Sequence, residues 1–303
     1  MDGRTPESQS GTTSGGRVSA DRPAVLVVRA PDRPGLVAAV AAALRDSGAT
    51  IVDADSHTDR ASGIFLQRLA LTGAGGTDLD TAALLPRLLT AQGAFGLTFE
   101  LHRPTGPARL VIACSRHLHC ASDLLARCAL GELDATVVAV VSDKEDGREL
   151  AERHGVPFEH LPVGDDRGAQ ERRLGERIDA LDPDLVVLAR YMRVLPGWLT
   201  DRWFGRMINI HHSFLPAFIG ADPYRKAHER GVKLIGATAH YVTEELDAGP
   251  IIDQDVVRVS HRDSVADLVR KGRDVERLVL ADAVRWHLDH RVVVFGNRTC
   301  VFA

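Results

Sequence analysis

The sequence predicts an α/β protein of two domains, an N-terminal ferredoxin-like α+β domain followed by a doubly wound domain on a mostly parallel sheet. Three observations predict this. Between residues 24 and 102 strand-like and helix-like patterns follow the order β-α-β-β-α-β, the split ferredoxin-like arrangement. From residue 108 onward strands and helices alternate singly, as in a chain of β-α units. The strands of this second part, LVIA (110–113), VVAVV (137–141) and DLVVL (184–188), are apolar on both sides, which suits parallel strands covered by helices on both faces.

Each element has its own signal. Residues 1–21 are rich in Ser, Gly and Thr without apolar periodicity, so they are expected to form a mobile tail. AVLVVRA (24–30) reads as a strand, and DRPG (32–35) as a turn into the helical LVAAVAAALRDSG, closed by Gly48. TIVDADSHTD and GIFLQRLALT read as two strands joined at residues 60–63, with Gly63 permitting a tight turn. The helical LDTAALLPRLLTAQG and the strand FGLTFELH complete a domain over residues 22–102. RPTGP (103–107) has linker composition, and residues 108–303 form the second domain. There ARLVIAC, the helical HCASDLLARCALGEL, ATVVAVVSD, the helical EDGRELAERHG, VPFEHL, the helical AQERRLGERIDAL and DLVVLARYM succeed one another.

Composition narrows the function. A chain of 303 residues with 45% hydrophobic and 26% charged residues can bury two ordinary cores. A net charge of −4 supplies no basic stripe for nucleic acid or an anionic membrane surface. No apolar run approaches the roughly 20 residues that span a bilayer, and the N-terminus lacks a signal-peptide core, so a cytoplasmic protein is expected. Cys114, Cys120, Cys128 and Cys300 form no C-x-x-C pair and are expected to be buried free thiols. The HLDH at 287–290 has no third ligand cluster and HExxH is missing, so no metal is expected. GxGxxG and the P-loop pattern are also missing, which removes the strongest sequence support for a nucleotide.

The stretch INIHHSFLP (208–216) carries the chemistry. Alternation along a strand puts Asn209 and His211 on one face and Ile208 and Ile210 on the other, toward a core. Pro216 stops the strand, so the pair sits at a strand end, where open α/β sheets bind ligands. Taken alone, such an Asn and His also suit a pair that caps a neighbouring loop.

With the later LDAGPII, this stretch resembles the folate-dependent formyltransferases. Their Asn-x-His-x-Ser-x-Leu-Pro pattern falls on Asn209, His211, Ser213, Leu215 and Pro216, and their Asp-x-Gly loop on Asp247 and Gly249. The resemblance implies that Asn209 hydrogen-bonds the formyl oxygen, His211 stabilises the developing oxyanion and Asp247 manages protons. Fixed donors at such an oxygen lower the barrier by several kcal/mol. A carboxylate with its pKa raised toward neutrality suits the proton transfers. ARYMRVLP (189–196) resembles the family's folate pocket and implies substrate contacts from Arg193, Val194 and Leu195, and from the loop Thr243, Glu244, Glu245 and Leu246, with His212 and Ser213 beside them. YMRVL equally fits ordinary core at a helix start, Glu244 and Glu245 fit solvated loop positions, and His212 fits either the substrate or solvent.

VVRAPDRPGLVAAVAAAL (27–44) resembles the opening of an ACT domain, a small-molecule sensing module, which implies amino-acid binding at Asp32 and Gly35. The same residues suit a structural helix start in which Asp32 caps the first amides. From Ala24 onward the chain is most similar to the formyltetrahydrofolate deformylases, which join an ACT domain to this catalytic fold. SRHLHCASDLLAR, ARYMRVL, INIHHSFLPAFIGADPY, LIGATAHYV and FGNRT carry that match. It implies hydrolysis of 10-formyltetrahydrofolate to formate and tetrahydrofolate without a cofactor, supply of formate for purine synthesis, and a homo-oligomer. Asp222 departs from the family, which has a basic residue there.

Two other readings compete: formyl transfer to an amine, and a catalytically silent ACT-containing sensor. Transfer to a phosphorylated amine calls for a small, Gly-containing loop that lets backbone amides approach the phosphate. ACSRHLHCASD has no glycine between Ala113 and Asp123, so water is the expected acceptor, although Arg116 and His117 offer side chains to an anion.

Overall fold

In a computed structural model that describes residues 22–216 and 222–303, two sheets account for most of the strands. The tail expected over 1–21 lies outside the described residues, as do positions 217–221. The first sheet holds β1 (Ala24–Pro31), β2 (Ala49–Asp59), β3 (Ile64–Gly73) and β4 (Thr98–His102) in the order β2-β3-β1-β4, with α1 (Leu36–Asp46) and α2 (Thr81–Phe95) on one face. Leu26, Val28, Leu69 and Leu71 meet Leu36, Val40, Leu84 and Leu88 in its core. This is the expected ferredoxin-like order. Gly35, not Asp32, occupies the N-cap of α1, with φ 92° and no side-chain cap bond, so the capping role considered for Asp32 is not found.

The second sheet runs β11-β10-β9-β8-β5-β6-β7. It comprises β5 (Ala108–Cys114), β6 (Ala135–Ser142), β7 (Phe158–His160), β8 (Leu185–Leu188), β9 (Met207–His211), β10 (Leu234–Tyr241) and β11 (Ile251–Arg258). Strands β7, β6, β5, β8 and β9 are parallel, and β10 and β11 add antiparallel strands at one edge. Helices α3 (His119–Ala129), α4 (Arg148–Arg153), α5 (Arg167–Leu181), α6 (Gly197–Arg202), α7 (Pro223–Arg230) and α8 (Val265–Leu288) surround it. α3 and α8 cover one face, and α5 and α6 the other, which makes the sheet doubly wound.

The long α8 begins with a capping box in which Ser264 and Asp267 exchange hydrogen bonds. After it, β12 (Val292–Phe295) and β13 (Arg298–Val301) form a hairpin that the sequence patterns leave unread. Val293, Phe295 and Phe302 pack on Leu66, so the hairpin covers the open face of the first sheet. Arg298 pairs with Asp59 at 2.8 Å across this contact. His290 stacks on His102 with centroids 3.7 Å apart, while His287 Nδ1 lies 2.8 Å from the Tyr241 hydroxyl, so the HLDH residues serve separate packing contacts. All four cysteines are free, but only Cys114 and Cys120 are buried; Cys128 and Cys300 are half-buried because they sit at the rims of their cores. Among the described residues no helix is long and apolar enough to cross a membrane.

Candidate active site

At the carboxyl ends of β8 and β9 a cavity of about 640 Å³ opens, within the size range of small-molecule sites. β9 ends at His211, four residues before the expected stop at Leu215, because residues 212–216 leave the ladder for an irregular turn. Ile208 and Ile210 are buried in the core while Asn209 and His211 line the cavity, as alternation requires. β10 lies antiparallel beside β9 with His240 opposite Asn209, and it adds a third polar side chain to the same spot.

The loop after β10 brings Asp247 over this group. Asp247 adopts φ 56°, a left-handed conformation that Asp tolerates better than most residues. Gly249 passes so close beneath that a Cβ on it would lie 1.8 Å from the Tyr241 carbonyl oxygen. His211 Nδ1 donates to Asp247 Oδ2 at 3.0 Å. His240 Nδ1 donates to the Tyr241 carbonyl at 2.9 Å, which leaves Nε2 to accept from Asn209 Nδ2 at 3.2 Å. A doubly protonated His240 instead faces Asp247 Oδ1 at 3.5 Å. Among the described residues His211 Nε2 is buried without a partner.

Burial alone would raise the Asp247 carboxyl, yet the hydrogen bonds and charges of His211 and His240 outweigh it and hold the group well below the usual carboxylate range. The expectation of a carboxyl raised toward neutrality is therefore corrected. Two imidazoles within reach of one carboxylate favour its ionised form more than burial disfavours it.

The remaining sequence candidates divide. Arg193, Val194 and Leu195 line the cavity, and so do His212, Thr243, Glu244 and Leu246. Ser213 and Glu245 do not: Ser213 is buried behind the strand end with its carbonyl accepting from Thr238 Oγ1 at 2.9 Å, and the exposed Glu245 uses its carbonyl to hold Thr243 Oγ1 at 3.0 Å. Leu195 is buried and Val194 exposed, so YMRVL is part core and part wall. The Arg193 guanidinium is taken by Asp143, with Nη2 at 2.6 Å, and its backbone N–H by the Tyr191 carbonyl at 2.9 Å. Burial and the neighbouring Arg190 charge push His212 down to about 3, so this ring is neutral at pH 7. Asp222 lines the cavity and pairs with Arg225 at 2.7 Å.

Sequence reasoning missed His240, and of a second wall made by His117, His119, Arg190, Tyr224, Arg273 and Glu276 it singled out only His117, as a side chain offered to an anion. A lone His in the apolar LIGATAHYV was the available signal for His240, since Thr238 and His240 share one face of that strand. His119, Cys120 and Glu276 also bring three metal-type ligand atoms within 4.8 Å. That carboxylate is already engaged by His119 and Tyr224 in a hydrogen-bonded network, and burial raises the Cys120 thiol beside it well above its usual value.

A family model described as formyl transferase matches residues 108–284, and one described as ACT domain matches residues 24–87. A formyltetrahydrofolate deformylase of Synechocystis sp. is 46% identical over 286 residues, covering 92% of this chain and 98% of that protein. The chain belongs to the formyltetrahydrofolate deformylase family. The crystal structure of a deformylase from Pseudomonas syringae pv. tomato aligns with TM-score 0.89 at 43% identity, covering 95% of this chain and 96% of that one. A glycinamide ribonucleotide transformylase from Symbiobacterium toebii aligns with TM-score 0.62 at 36% identity, but over only 65% of this chain against 95% of its own. Deformylases thus match both sheets, whereas that transformylase matches a part of the chain the size of the second domain.

Proposed function

We infer that this chain hydrolyses 10-formyltetrahydrofolate to formate and tetrahydrofolate, with residues 22–102 as a regulatory ACT domain and residues 108–303 as the catalytic domain. The convergence of Asn209, His211 and Asp247 on one cavity, with His211 Nε2 buried and unpartnered among the described residues, carries this reading. Water adds to the formyl carbon and gives its proton to His211 Nε2. The resulting imidazolium, paired with Asp247, faces the oxyanion together with an Asn209 N–H. Collapse of the tetrahedral species breaks the bond to N10, which takes the proton from His211, and the formic acid released gives its remaining proton to solvent and leaves as formate. The roles first implied for His211 and Asp247 thereby merge into one proton-handling pair.

The pterin is expected against Met192–Leu195 and against Thr243, Glu244 and Leu246, which line one side of the cavity. The side chains and water suffice for this chemistry, so we propose no resident cofactor. We also propose a cytoplasmic enzyme whose formate serves purine synthesis, an amino-acid effector such as glycine or methionine at Asp32 and Gly35, and a homo-oligomer. The edge strand β2, where Ile51 is 43% and Val52 54% exposed, suits edge-to-edge pairing of ACT domains. Incubating the purified chain with 10-formyltetrahydrofolate and no amine should release formate catalytically. Absence of formate together with rapid formyl transfer to glycinamide ribonucleotide would overturn the hydrolase in favour of a transferase.

A further inference from the structure

The cavity has a second half that the proposed hydrolysis leaves unused, and its geometry centres on Arg190. This residue follows β8 by two positions, beyond Leu188, which pairs with Asn209 across the parallel strands. It stands at φ 63°, a backbone conformation that glycine takes most readily, yet it carries one of the longest side chains. The guanidinium is not sent to solvent: the side chain is 8% exposed and lines the cavity. Among the described residues Nε and Nη1 find no hydrogen-bond partner, and the acid paired with this side chain, Glu276, has Oε2 3.5 Å from Nε.

Glu276 is held from two sides. His119 Nε2 lies 2.8 Å from Oε2, and the Tyr224 hydroxyl donates to Oε1 at 2.6 Å. Tyr224 is itself pressed on α8 at Gly272, where a Cβ would lie 2.0 Å from its hydroxyl oxygen. The carboxylate therefore cannot swing away, and Arg190 stays over it. Among the described residues Arg273 adds a second guanidinium to the same wall.

We propose that Arg190 determines acceptor specificity: its guanidinium fills the space beside His211 and His212 that a primary amine would need, and it masks the carboxylate that would bind that amine. The proposal rests on the hydrolase reading. The same fold serves a glycinamide ribonucleotide transformylase, so the fold alone does not choose between water and an amine. A primary amine is an ammonium at neutral pH, and the buried Arg190 guanidinium, with the exposed Arg273 on the same wall, repels it while a water molecule is indifferent to them. With Arg190 gone, Glu276 would remain anchored by His119 and Tyr224 and would present a carboxylate to the cavity, the natural partner of an ammonium. Transfer is then balanced: the bound ammonium gives one proton to solvent, the free amine forms a bond to the formyl carbon, the bond from that carbon to N10 breaks, and the second proton lost by the amine passes to N10.

The test uses glycinamide, which carries no phosphate and so does not depend on a phosphate cradle. Arg190→Gly suits the backbone, and Arg190→Asn is a second variant that tolerates φ near 63°. Each full-length protein is incubated with 10-formyltetrahydrofolate and glycinamide, and N-formylglycinamide and formate are quantified together. The ratio of amide to formate is expected to rise at least about twentyfold in the variants, a change of about 1.8 kcal/mol in partitioning. Folded variants that consume the folate at the parental ratio overturn the proposal. If neither variant folds or turns over, the parent decides: substantial N-formylglycinamide from the parent overturns the proposal, and its absence at molar glycinamide supports it. Formate release by the parent without amine tests the hydrolase reading separately, so an active parent with unaltered variants removes this inference alone.

Discussion

The side-chain amide of Asn297 donates a 2.9 Å hydrogen bond to the backbone carbonyl of Ala248, tying the tip of the C-terminal hairpin to the residue after Asp247. Gly296 beside it takes φ 59°, as a two-residue hairpin turn with Gly in first place requires. Thr299 Oγ1 adds a short bond to the Ile251 carbonyl, so the hairpin grips both ends of the segment that leads from Asp247 into β11. The other side of the hairpin rests on the first sheet through Phe295 and Arg298, which places the Asp247 loop and the ACT domain on one shared support.

Asn297→Ala is expected to lower kcat about fivefold, the equivalent of a net hydrogen bond of about 1 kcal/mol, because Asp247 loses orientation relative to His211. KM for 10-formyltetrahydrofolate and the melting temperature should change little, since Asn297 is exposed and buries no core. Steady-state kinetics with a thermal melt separate these readouts, and an unaltered kcat would remove Asn297 from the positioning of the loop.

Asp247→Asn should retain folate binding and lose on the order of a hundredfold or more in kcat, because the amide fills the same space but cannot hold the His211 imidazolium. Asn209→Ala and His211→Ala should each lose about as much. Binding is read by fluorescence titration and turnover by formate release. An Asp247→Asn protein within a few fold of the parent would show that the carboxylate does not handle protons.

Asp247 also links stability to pH. Its folded-state pKa is held below the ordinary value of about 4 by His211 and His240, so the stabilisation is present above about pH 4 and is lost as pH falls through the depressed value. Urea unfolding of parent and Asp247→Asn should therefore differ equally at pH 7 and pH 5, with the gap narrowing at pH 3. A gap that widens on acidification would contradict the depressed carboxyl.

Much of this arrangement was legible in the sequence, and the rest was not for physical reasons. Two-sided apolar strands announced the parallel sheet because a strand covered by helices on both faces has nowhere to put polar side chains. Asn209 and His211 were visible because two polar residues with period 2 break such a strand. The partnership of Asp247 with His211 was not visible: 36 positions separate them, and only the antiparallel return of β10 fixes their 3.0 Å contact. Arg190 and Glu276 were missed for the same reason. Each reads locally as an ordinary charged residue after a strand or within a helix, and only the packing of α8 on the sheet buries the pair. The sign of the Asp247 shift was misjudged because burial was weighed without His240, which no local pattern joins to it.

Gly249→Ala is expected to destabilise the protein by about 1–3 kcal/mol and to lower activity at least tenfold, because a Cβ at that position meets the Tyr241 carbonyl oxygen and forces the Asp247 loop outward. For a chain of this size that corresponds to a fall in melting temperature of several degrees. Differential scanning calorimetry with the formate assay checks both, and a variant with parental stability and rate would show that the loop has another seat.

The DRPG turn is exposed, yet it is well braced: the Asp32 N–H donates to the Gly63 carbonyl at 2.7 Å, and Arg33 lies over the Phe95 ring at 4.9 Å while bonding the Ala94 carbonyl. A turn fixed in shape, with a carboxylate that has no partner among the described residues, suits the ammonium of an amino acid, and Gly35 at φ 92° keeps side-chain bulk away from the approach. Binding alters activity only by favouring one of two states, and couplings of this kind amount to about 1–3 kcal/mol, or roughly 5–150-fold. Glycine or methionine at millimolar concentration should therefore shift the rate at least about fivefold, and Asp32→Ala should abolish the shift when each protein is compared with its own rate without effector. Calorimetric titration of both amino acids gives the binding directly. A shift that survives Asp32→Ala would place the effector elsewhere, and no shift with either amino acid would leave the turn as a helix start whose positive-φ glycine serves the fold alone.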